Sequence, residues 1–124
     1  MKVLEIAFSA YPVTDVDRSR AFYEGVLGLV PAMNMDMGGK GSWVEYEIAS
    51  GTLALGRFEG WQPTADGCTV GLEVGDFEQA VEAIKTAGVP VKMGPFETPV
   101  CHMAMVSDPD GNTVILHKRK PGHS

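Results

Sequence analysis

The sequence lacks the patterns that indicate disulfide frameworks, cysteine metal clusters or membrane spans. It has only two cysteines, Cys68 and Cys101, which lie far apart and in no metal-binding spacing. We expect two buried thiols in a reducing compartment. No apolar run approaches the roughly 18 residues that suggest a membrane helix, and no basic segment leads into an apolar stretch at the start. The sequence therefore predicts a soluble, cytoplasmic protein without membrane contacts.

Positive charge is also scarce. Ten Lys and Arg residues stand against 16 Asp and Glu residues, which gives a net charge of −6. Because nucleic-acid binding proteins present basic faces, this balance argues against a nucleic-acid partner and is compatible with a cationic ligand. The remaining composition, 44% hydrophobic and 21% charged, is that of an ordinary globular chain. Its length suits one domain, or two small modules that share a core.

An internal repeat organises the chain. Asp15 is placed to cap a helix that runs to Leu27 and ends at Gly28, and Asp76 is placed to cap a second helix that ends at Gly88. In each copy a strand precedes the helix and three strands follow it, so both halves independently indicate a βαβββ order. We predict strands at 4–13, 30–35, 42–48 and 52–58, and again at 68–74, 89–93, 100–106 and 113–118.

These boundaries define one domain, 1–124, made of two modules. The first module covers about 1–58, a linker covers 59–67, the second module covers about 68–120, and a tail at 121–124 is expected to fray. Trp61 in the linker is interpreted either as a binding aromatic or as a plug over a shared core. His123, in the tail, is not expected to bind a metal.

A tight hairpin closes the second module. Val106 to Leu116 consists of two apolar strands around Asp108-Pro109-Asp110-Gly111-Asn112. Asp and Asn bond to their own backbone, Pro presets φ, and Gly takes a left-handed conformation, so these five residues strongly favour a turn.

The repeat, the helix end Phe22-Tyr23 with Leu27-Gly28, and this hairpin resemble the vicinal oxygen chelate superfamily of glyoxalases, extradiol dioxygenases and bleomycin resistance proteins. The resemblance covers nearly the whole chain. It implies an α+β fold in which tandem βαβββ modules form a curled mixed sheet cup with helices outside. It also implies a homodimer, sometimes with modules exchanged between chains.

Metal-dependent members of that superfamily place His or Glu at four positions in the cup. By the resemblance, these positions are occupied here by Phe8, Thr69 and Ile115, and by either Ala54 or Leu55. Only Thr69 offers an oxygen, and a neutral hydroxyl is a poor ligand for zinc or iron. We therefore expect no cofactor, and a divalent metal only through a non-standard site.

Two alternatives remain for the ionisable residues. His102 and His117 lie on adjacent predicted strands, and if they meet Glu45 and Glu47 they would form a relocated metal site. Glu73 and His117 are the candidates for acid/base catalysis. The competing interpretation is that His117 belongs to a solvated run that ends at Lys120, with His102 a hydrogen-bonded edge residue and Glu73 bonded to a neighbouring strand or to solvent.

The aromatic and methionine residues indicate a soft-walled apolar pocket or, equally, an irregular core. The expected ligand-binding residues are Phe8, Met35, Trp43, Glu45, Trp61, Thr69, His102, Met103 and Ile115. We predict a metal-free protein that binds a partly apolar or cationic small molecule in the cup or in a dimer groove. The alternative is a lyase, isomerase or dioxygenase that uses a relocated metal, so the sequence leaves enzymatic activity open.

Overall fold

The computed structural model describes residues 1–122 and divides the chain into two compact units. The first unit is Met1–Pro63 and the second begins at Thr64. His123, predicted to lie in the fraying tail, is outside the described residues. No helix in the described part of the chain is long and apolar enough to cross a membrane.

The first unit is a four-stranded mixed sheet with one helix. Its strands are β1 (Ser9–Pro12), β2 (Pro31–Asp36), β3 (Ser42–Ile48) and β4 (Gly51–Arg57), in the spatial order β1-β4-β3-β2. β1 runs parallel to β4, and the other pairs are antiparallel. Helix α1 (Val16–Arg20) continues into a wider π-type turn over Ala21–Val26.

Helix α1 begins and packs as its sequence predicts. The Asp15 carboxylate accepts a hydrogen bond from the Arg18 backbone N–H at 3.1 Å, so it satisfies one of the free donors of the first turn. The ring of Tyr23 stacks on that of Tyr46 from β3, with centroids 6.3 Å apart. The Tyr46 hydroxyl donates to Glu24 at 2.8 Å. One face of the sheet, with Tyr46, Val44 and Leu55, is therefore buried under the helix.

The second unit repeats this arrangement. Its strands are β5 (Val70–Glu73), β6 (Val91–Glu97), β7 (Cys101–Ser107) and β8 (Thr113–Arg119), in the order β5-β8-β7-β6. Helix α2 (Phe77–Thr86) begins at Asp76, whose carboxylate accepts from the Gln79 N–H at 3.0 Å. Ile84 of α2 is buried, as are Ala104 and Leu116 of the sheet. Both units thus confirm the predicted tandem βαβββ order and the α+β class.

Two local expectations were wrong. The predicted strand at 4–13 begins only at Ser9, because the pairing with β4 starts there and residues 1–8 have no neighbouring strand within the described chain. Alternating apolar residues make a strand only when another strand supplies hydrogen bonds. The second error concerns the thiols, since Cys101 is buried but Cys68 is exposed.

Candidate functional site

The first unit has a sheet face that its own helix does not cover. Strand alternation places Trp43, Glu45 and Glu47 of β3 on this face, opposite to the buried Val44 and Tyr46. On the neighbouring strand β2, Met35 pairs with Trp43 and Met33 pairs with Glu45. The two methionines remain 46% and 40% exposed. We call this surface the aromatic face and define it by Met33, Met35, Trp43, Glu45, Trp61 and the two phenylalanines described next.

Four aromatic rings form a continuous row on the aromatic face. The Phe8 ring meets the Trp43 ring edge-on, with centroids 5.2 Å apart. The centroid of the Phe58 ring lies 6.3 Å from that of Trp43. Phe58 in turn lies 6.4 Å from Trp61. Aromatic contacts at these separations stabilise one another while leaving ring faces and edges for a further partner. Phe8 itself is 49% exposed.

A carboxylate is held within this row. The Trp43 indole Nε1–H donates to Glu45 Oε2 at 2.7 Å, which fixes the acid beside the ring. A negative charge next to half-buried aromatic rings attracts cations, both by direct attraction and through the quadrupole of the rings. The aromatic face therefore combines apolar contact area with a carboxylate whose position is fixed by a hydrogen bond.

Gly56 makes room for both indoles. A Cβ at this position would lie 2.6 Å from the Trp61 ring and 3.0 Å from that of Trp43. Gly56 pairs with Trp43 across the β3–β4 ladder, so the missing side chain is what lets Trp61 lie against the sheet. Trp61 is thus a wall of the aromatic face in the first unit.

The structure resolves which β4 residue shares this face. Ala54 lies between Ala10 and Glu45 in the strand pairing, whereas Leu55 is opposite Val44 on the helix side. By the resemblance, the metal-ligand positions of the first unit are Phe8 and, given this strand pairing, Ala54. Neither side chain carries a donor atom, so these residues do not fit a divalent metal.

The second unit presents a different chemistry on its corresponding face. His117 Nδ1 lies 2.5 Å from Glu73 Oε1, and the Arg119 backbone N–H donates to Glu73 Oε2 at 2.8 Å. The Arg119 guanidinium lies 3.5 Å from the same carboxylate. These bonds, that from the Arg119 N–H first and that from His117 second, hold the pKa of Glu73 below its usual range. We call this group the Glu73–His117 pair.

Two other predicted residues of the second unit, Met103 and Ile115, share the sheet face of this pair. Met103 is directly opposite His117 in the β7–β8 pairing, and Ile115 is opposite Met105 on the same face. Thr69 is exposed and precedes β5. By the same resemblance, Thr69 and Ile115 stand at the other two metal-ligand positions, and together they offer one neutral hydroxyl, which is not a metal-binding set.

The expectation that His102 and His117 could meet was wrong. His102 pairs with Lys118, one residue further along β8 than His117, so the two imidazoles project from opposite faces of the sheet. His102 instead contacts Phe77 of α2, with ring centroids 5.5 Å apart. Within residues 1–122, His, Cys, Asp and Glu side chains nowhere form a group of three that could hold a metal ion.

Two contributors to these faces were not identified from the sequence. Phe58 was assigned only as the end of a strand, although the alternation of 54, 56 and 58 would have placed it on the aromatic face. Arg119 was assigned to a solvated basic run. Its backbone N–H is what anchors Glu73, and no residue-type pattern signals a main-chain donor.

Comparison with known proteins agrees with this architecture. A family model described as the Glyoxalase/Bleomycin resistance protein/Dioxygenase superfamily matches residues 5–116. A comparison with curated proteins found no match.

Several solved structures share the fold. TnmS3, an antibiotic-binding protein from Streptomyces sp. CB03234, is 25% identical with a TM-score of 0.77, and the match covers 97% of this chain and 99% of that one. A glyoxalase/bleomycin resistance protein from the same organism is 27% identical with a TM-score of 0.73, covering 90% and 98%. Leishmania major glyoxalase I, at 24% identity and a TM-score of 0.77 over 94% and 87%, shows the fold alone. The chain belongs to the glyoxalase/bleomycin resistance protein/dioxygenase superfamily.

Proposed function

We propose that this protein binds a planar, partly apolar and cationic small molecule on the aromatic face of the first unit, without a metal ion. The observation that carries this proposal is the row of four rings, in which Phe8 is exposed and the other three are half-buried, with Glu45 fixed beside Trp43. Adaptable methionines on the neighbouring strand would complete the apolar contact. The likeness to an antibiotic-binding protein supports a binding role of this kind.

The chemistry at the superfamily's metal positions also supports binding without a metal. Phe8, Ala54 and Ile115 carry no donor atoms, and Thr69 carries only a hydroxyl. The relocated metal site required His102 and His117 to meet, but the two side chains lie on opposite faces of the second sheet. We therefore do not propose a metal-dependent lyase, isomerase or dioxygenase.

A titration of chelator-treated protein with two matched tricyclic probes tests the proposal. Ethidium is a planar aromatic cation, and phenanthridine has the same ring system but is uncharged at neutral pH. We expect both to quench tryptophan fluorescence on binding. Trp43→Ala should weaken both by at least about tenfold, since stacking on an aromatic ring contributes on the order of 1 to 3 kcal/mol.

The contribution of the Glu45 charge can be measured separately from that of ring stacking. Glu45→Gln keeps the side-chain shape and still accepts the bond from Trp43, so it should weaken ethidium and leave phenanthridine nearly unchanged. His117→Gln, in the second unit, is the matched control and should bind both probes as the wild type does. The proposal is contradicted if neither probe binds. It is also contradicted if binding requires added zinc, iron, manganese or nickel, with the bound metal measured by elemental analysis of the protein.

A second candidate function rests on the Glu73–His117 pair. Because the Arg119 backbone N–H keeps Glu73 ionised, Glu73 accepts a hydrogen bond from His117 Nδ1–H, and in the neutral imidazole this tautomer leaves a lone pair on Nε2 that can act as a base. Such a pair suits proton abstraction from a small organic substrate.

The probe 5-nitrobenzisoxazole tests this candidate. Nε2 would take the C3 proton, the C–H electron pair would form the nitrile, and the N–O bond would break to release a coloured phenolate. His117→Gln and Glu73→Gln should both lower the rate if the pair acts as a base, with Trp43→Ala as the control. A rate equal to that of free imidazole at the same concentration would remove this candidate.

A further inference from the structure

A cavity separates the first turns of α2 from the helix-facing side of the second sheet. Its volume is about 540 Å³, which is in the range of small-molecule sites. Phe77 and Val81 of α2 line one wall, and His102 of β7 and Lys118 of β8 line the other. The walls touch where the Phe77 and His102 rings lie 5.5 Å apart between centroids. We call this the helix-side cavity, and strand alternation places it on the face opposite to the Glu73–His117 pair.

The cavity exists because the helix-facing rows of the sheet change from apolar to polar. On β7 the buried Val106 and Ala104 are followed by the half-buried His102. On β8 the buried Leu116 is followed by the half-buried Lys118. A polar side chain loses hydration when an apolar helix face covers it, so α2 packs on the apolar part of the sheet and leaves space beside the polar part.

The inner end of the helix-side cavity is apolar. Val81, Pro95 and the aliphatic stem of Lys85 line both this cavity and a narrow apolar cleft that continues from it. The cleft is bordered by the buried Ala104 and Leu116. An apolar group of a bound molecule would therefore be removed from water at this end, which favours its binding.

Charges of opposite sign line the outer part. Glu78 and Glu82 stand one turn apart on α2, and Lys118 stands on the sheet wall. In the part of the chain that the structure describes, none of these three side chains takes part in an ion pair. Glu97, on the neighbouring strand β6, is already bonded to Lys120 at 2.8 Å. The two walls therefore offer an ammonium and two carboxylates to a bound molecule.

The first unit has a cavity in the corresponding place, but its lining is more polar. Its volume is about 390 Å³, and Ser42 and Arg57, which pair across β3 and β4, line its sheet wall. Arg20 lines its helix wall, where the second unit has Val81. The apolar residues thus distinguish the helix-side cavity, and Arg57 supplies a matched control for Lys118.

We propose that the helix-side cavity binds a small zwitterion with an apolar body, which is the chemistry of a free apolar α-amino acid. Lys118 binds its carboxylate, Glu78 and Glu82 bind its ammonium, and the body lies along Val81 and Pro95. Charge-assisted contacts are stronger than neutral ones, so both charged groups contribute to affinity. The site belongs to the second unit and uses no residue of the aromatic face, so its test is independent of the proposed function.

Calorimetric titration of the full chain with three matched probes tests the proposal. L-Phenylalanine carries both charges, 3-phenylpropanoate lacks the ammonium, and phenethylamine lacks the carboxylate. We expect saturable binding of L-phenylalanine. It should bind at least about threefold more tightly than either of the others, since each of them lacks one charged contact.

Removing charge from each wall should affect different probes. Lys118→Met should weaken L-phenylalanine and 3-phenylpropanoate by at least about threefold and leave phenethylamine nearly unchanged. The double variant Glu78→Gln with Glu82→Gln should weaken L-phenylalanine and phenethylamine but not 3-phenylpropanoate. Arg57→Met removes the corresponding cation of the first unit and should bind L-phenylalanine as the wild type does. Circular dichroism checks that each variant is folded.

A further variant separates this cavity from the aromatic face. Phenethylamine is an aromatic cation, which is the chemistry proposed for the aromatic face, so its titrations are compared in Trp43→Ala protein. Trp43→Ala alone should bind L-phenylalanine as the wild type does. A loss of L-phenylalanine binding in this variant would place the ligand on the aromatic face and overturn the proposal.

Three other results would also overturn it. The first is L-phenylalanine binding that does not saturate at up to about 10 mM. The second is tighter binding of 3-phenylpropanoate than of L-phenylalanine, because the acidic wall would then make no contact with an ammonium. The third is unchanged L-phenylalanine affinity in both Lys118→Met and the double glutamine variant, because the ligand would then lie elsewhere.

Discussion

The two units share a topology but carry different chemistry on the same face. In the first unit the helix-free face is a row of four rings with Glu45 hydrogen-bonded to Trp43, whereas in the second it has an ionised Glu73 bonded to His117 and Arg119. The helix-facing sides are both buried, with the aromatic Tyr23 and Tyr46 in the first unit and the aliphatic Ile84, Val106 and Leu116 in the second. The scaffold is thus repeated while the surface chemistry is not, which is how one fold serves several functions.

Their second hairpins differ in the same manner. β7 and β8 are joined by a network around the buried Asp108, whose Oδ1 accepts from the N–H groups of Asp110 and Asn112 at 2.9 Å each, while Oδ2 accepts from the Asn112 amide at 2.9 Å. β3 and β4 are joined by a turn in which Ala49 has a φ of 54°. One hairpin is stabilised by side-chain hydrogen bonds, whereas the other contains an alanine in an unfavourable backbone conformation.

The largest expected effect is a loss of stability that distinguishes the β7–β8 hairpin from the first unit. Asp108→Ala removes three hydrogen bonds and leaves buried donors of Asn112 without this partner, so it should lower the free energy of unfolding by about 2–4 kcal/mol. Asp36→Ala in the first unit is the control, since the exposed Asp36 accepts a single bond from the Gly38 N–H. Urea denaturation followed by circular dichroism measures both. Equal losses would contradict the assigned role of Asp108.

The second-largest expected effect distinguishes the helix-free face of the first unit from that of the second. Gly56→Ala places a Cβ against both indoles and should destabilise the chain by about 1–3 kcal/mol and shift the tryptophan emission. Gly71→Ala is the matched change in the second unit, where no atom lies within 4 Å of the new Cβ. It should leave the emission unchanged. A similar response in both variants would show that the indoles do not lie against Gly56.

A smaller effect sharpens the comparison of the turns. Ala49→Gly relieves the left-handed strain at φ 54°, and the gain is reduced by the greater flexibility of glycine in the unfolded chain. We expect a net stabilisation of about 0.5–1 kcal/mol. The melting temperature should therefore rise, whereas a fall would mean that the turn does not adopt the left-handed conformation.

The smallest effect concerns pH. The pKa of Glu73 is lowered in the folded state, so its contribution is complete above the ordinary glutamate pKa and disappears as the pH falls through the lowered value. Its side chain is 35% exposed, so we expect under about 1 kcal/mol after solvent screening. The difference in stability between the wild type and Glu73→Gln should shrink from pH 6 to pH 3. A constant difference would contradict this linkage.

Local signals in the sequence were sufficient for the elements and their order. Asp15, Asp76 and the Asp108–Asn112 turn each determine their structure through hydrogen bonds to nearby residues, so they could be identified without a fold. The strand predicted from residue 4 was wrong because a strand depends on a partner elsewhere in the chain, and no composition pattern supplies that partner.

The site was less predictable because it depends on register. A shift of one residue moves a side chain to the other face of a sheet, and this decides that His102 lies against α2 while His117 meets Glu73. Trp43, Glu45 and Met35 were expected to bind a ligand, and they lie side by side on the aromatic face. Whether they bind one is the proposal made above.

The most direct test is fluorescence titration of chelator-treated wild-type protein with ethidium, in parallel with Trp43→Ala and His117→Gln. The proposed aromatic face predicts saturable quenching in the wild type and in His117→Gln, and a loss of at least about tenfold in affinity in Trp43→Ala. No saturable quenching in the wild type, or equal loss in both variants, would contradict the account.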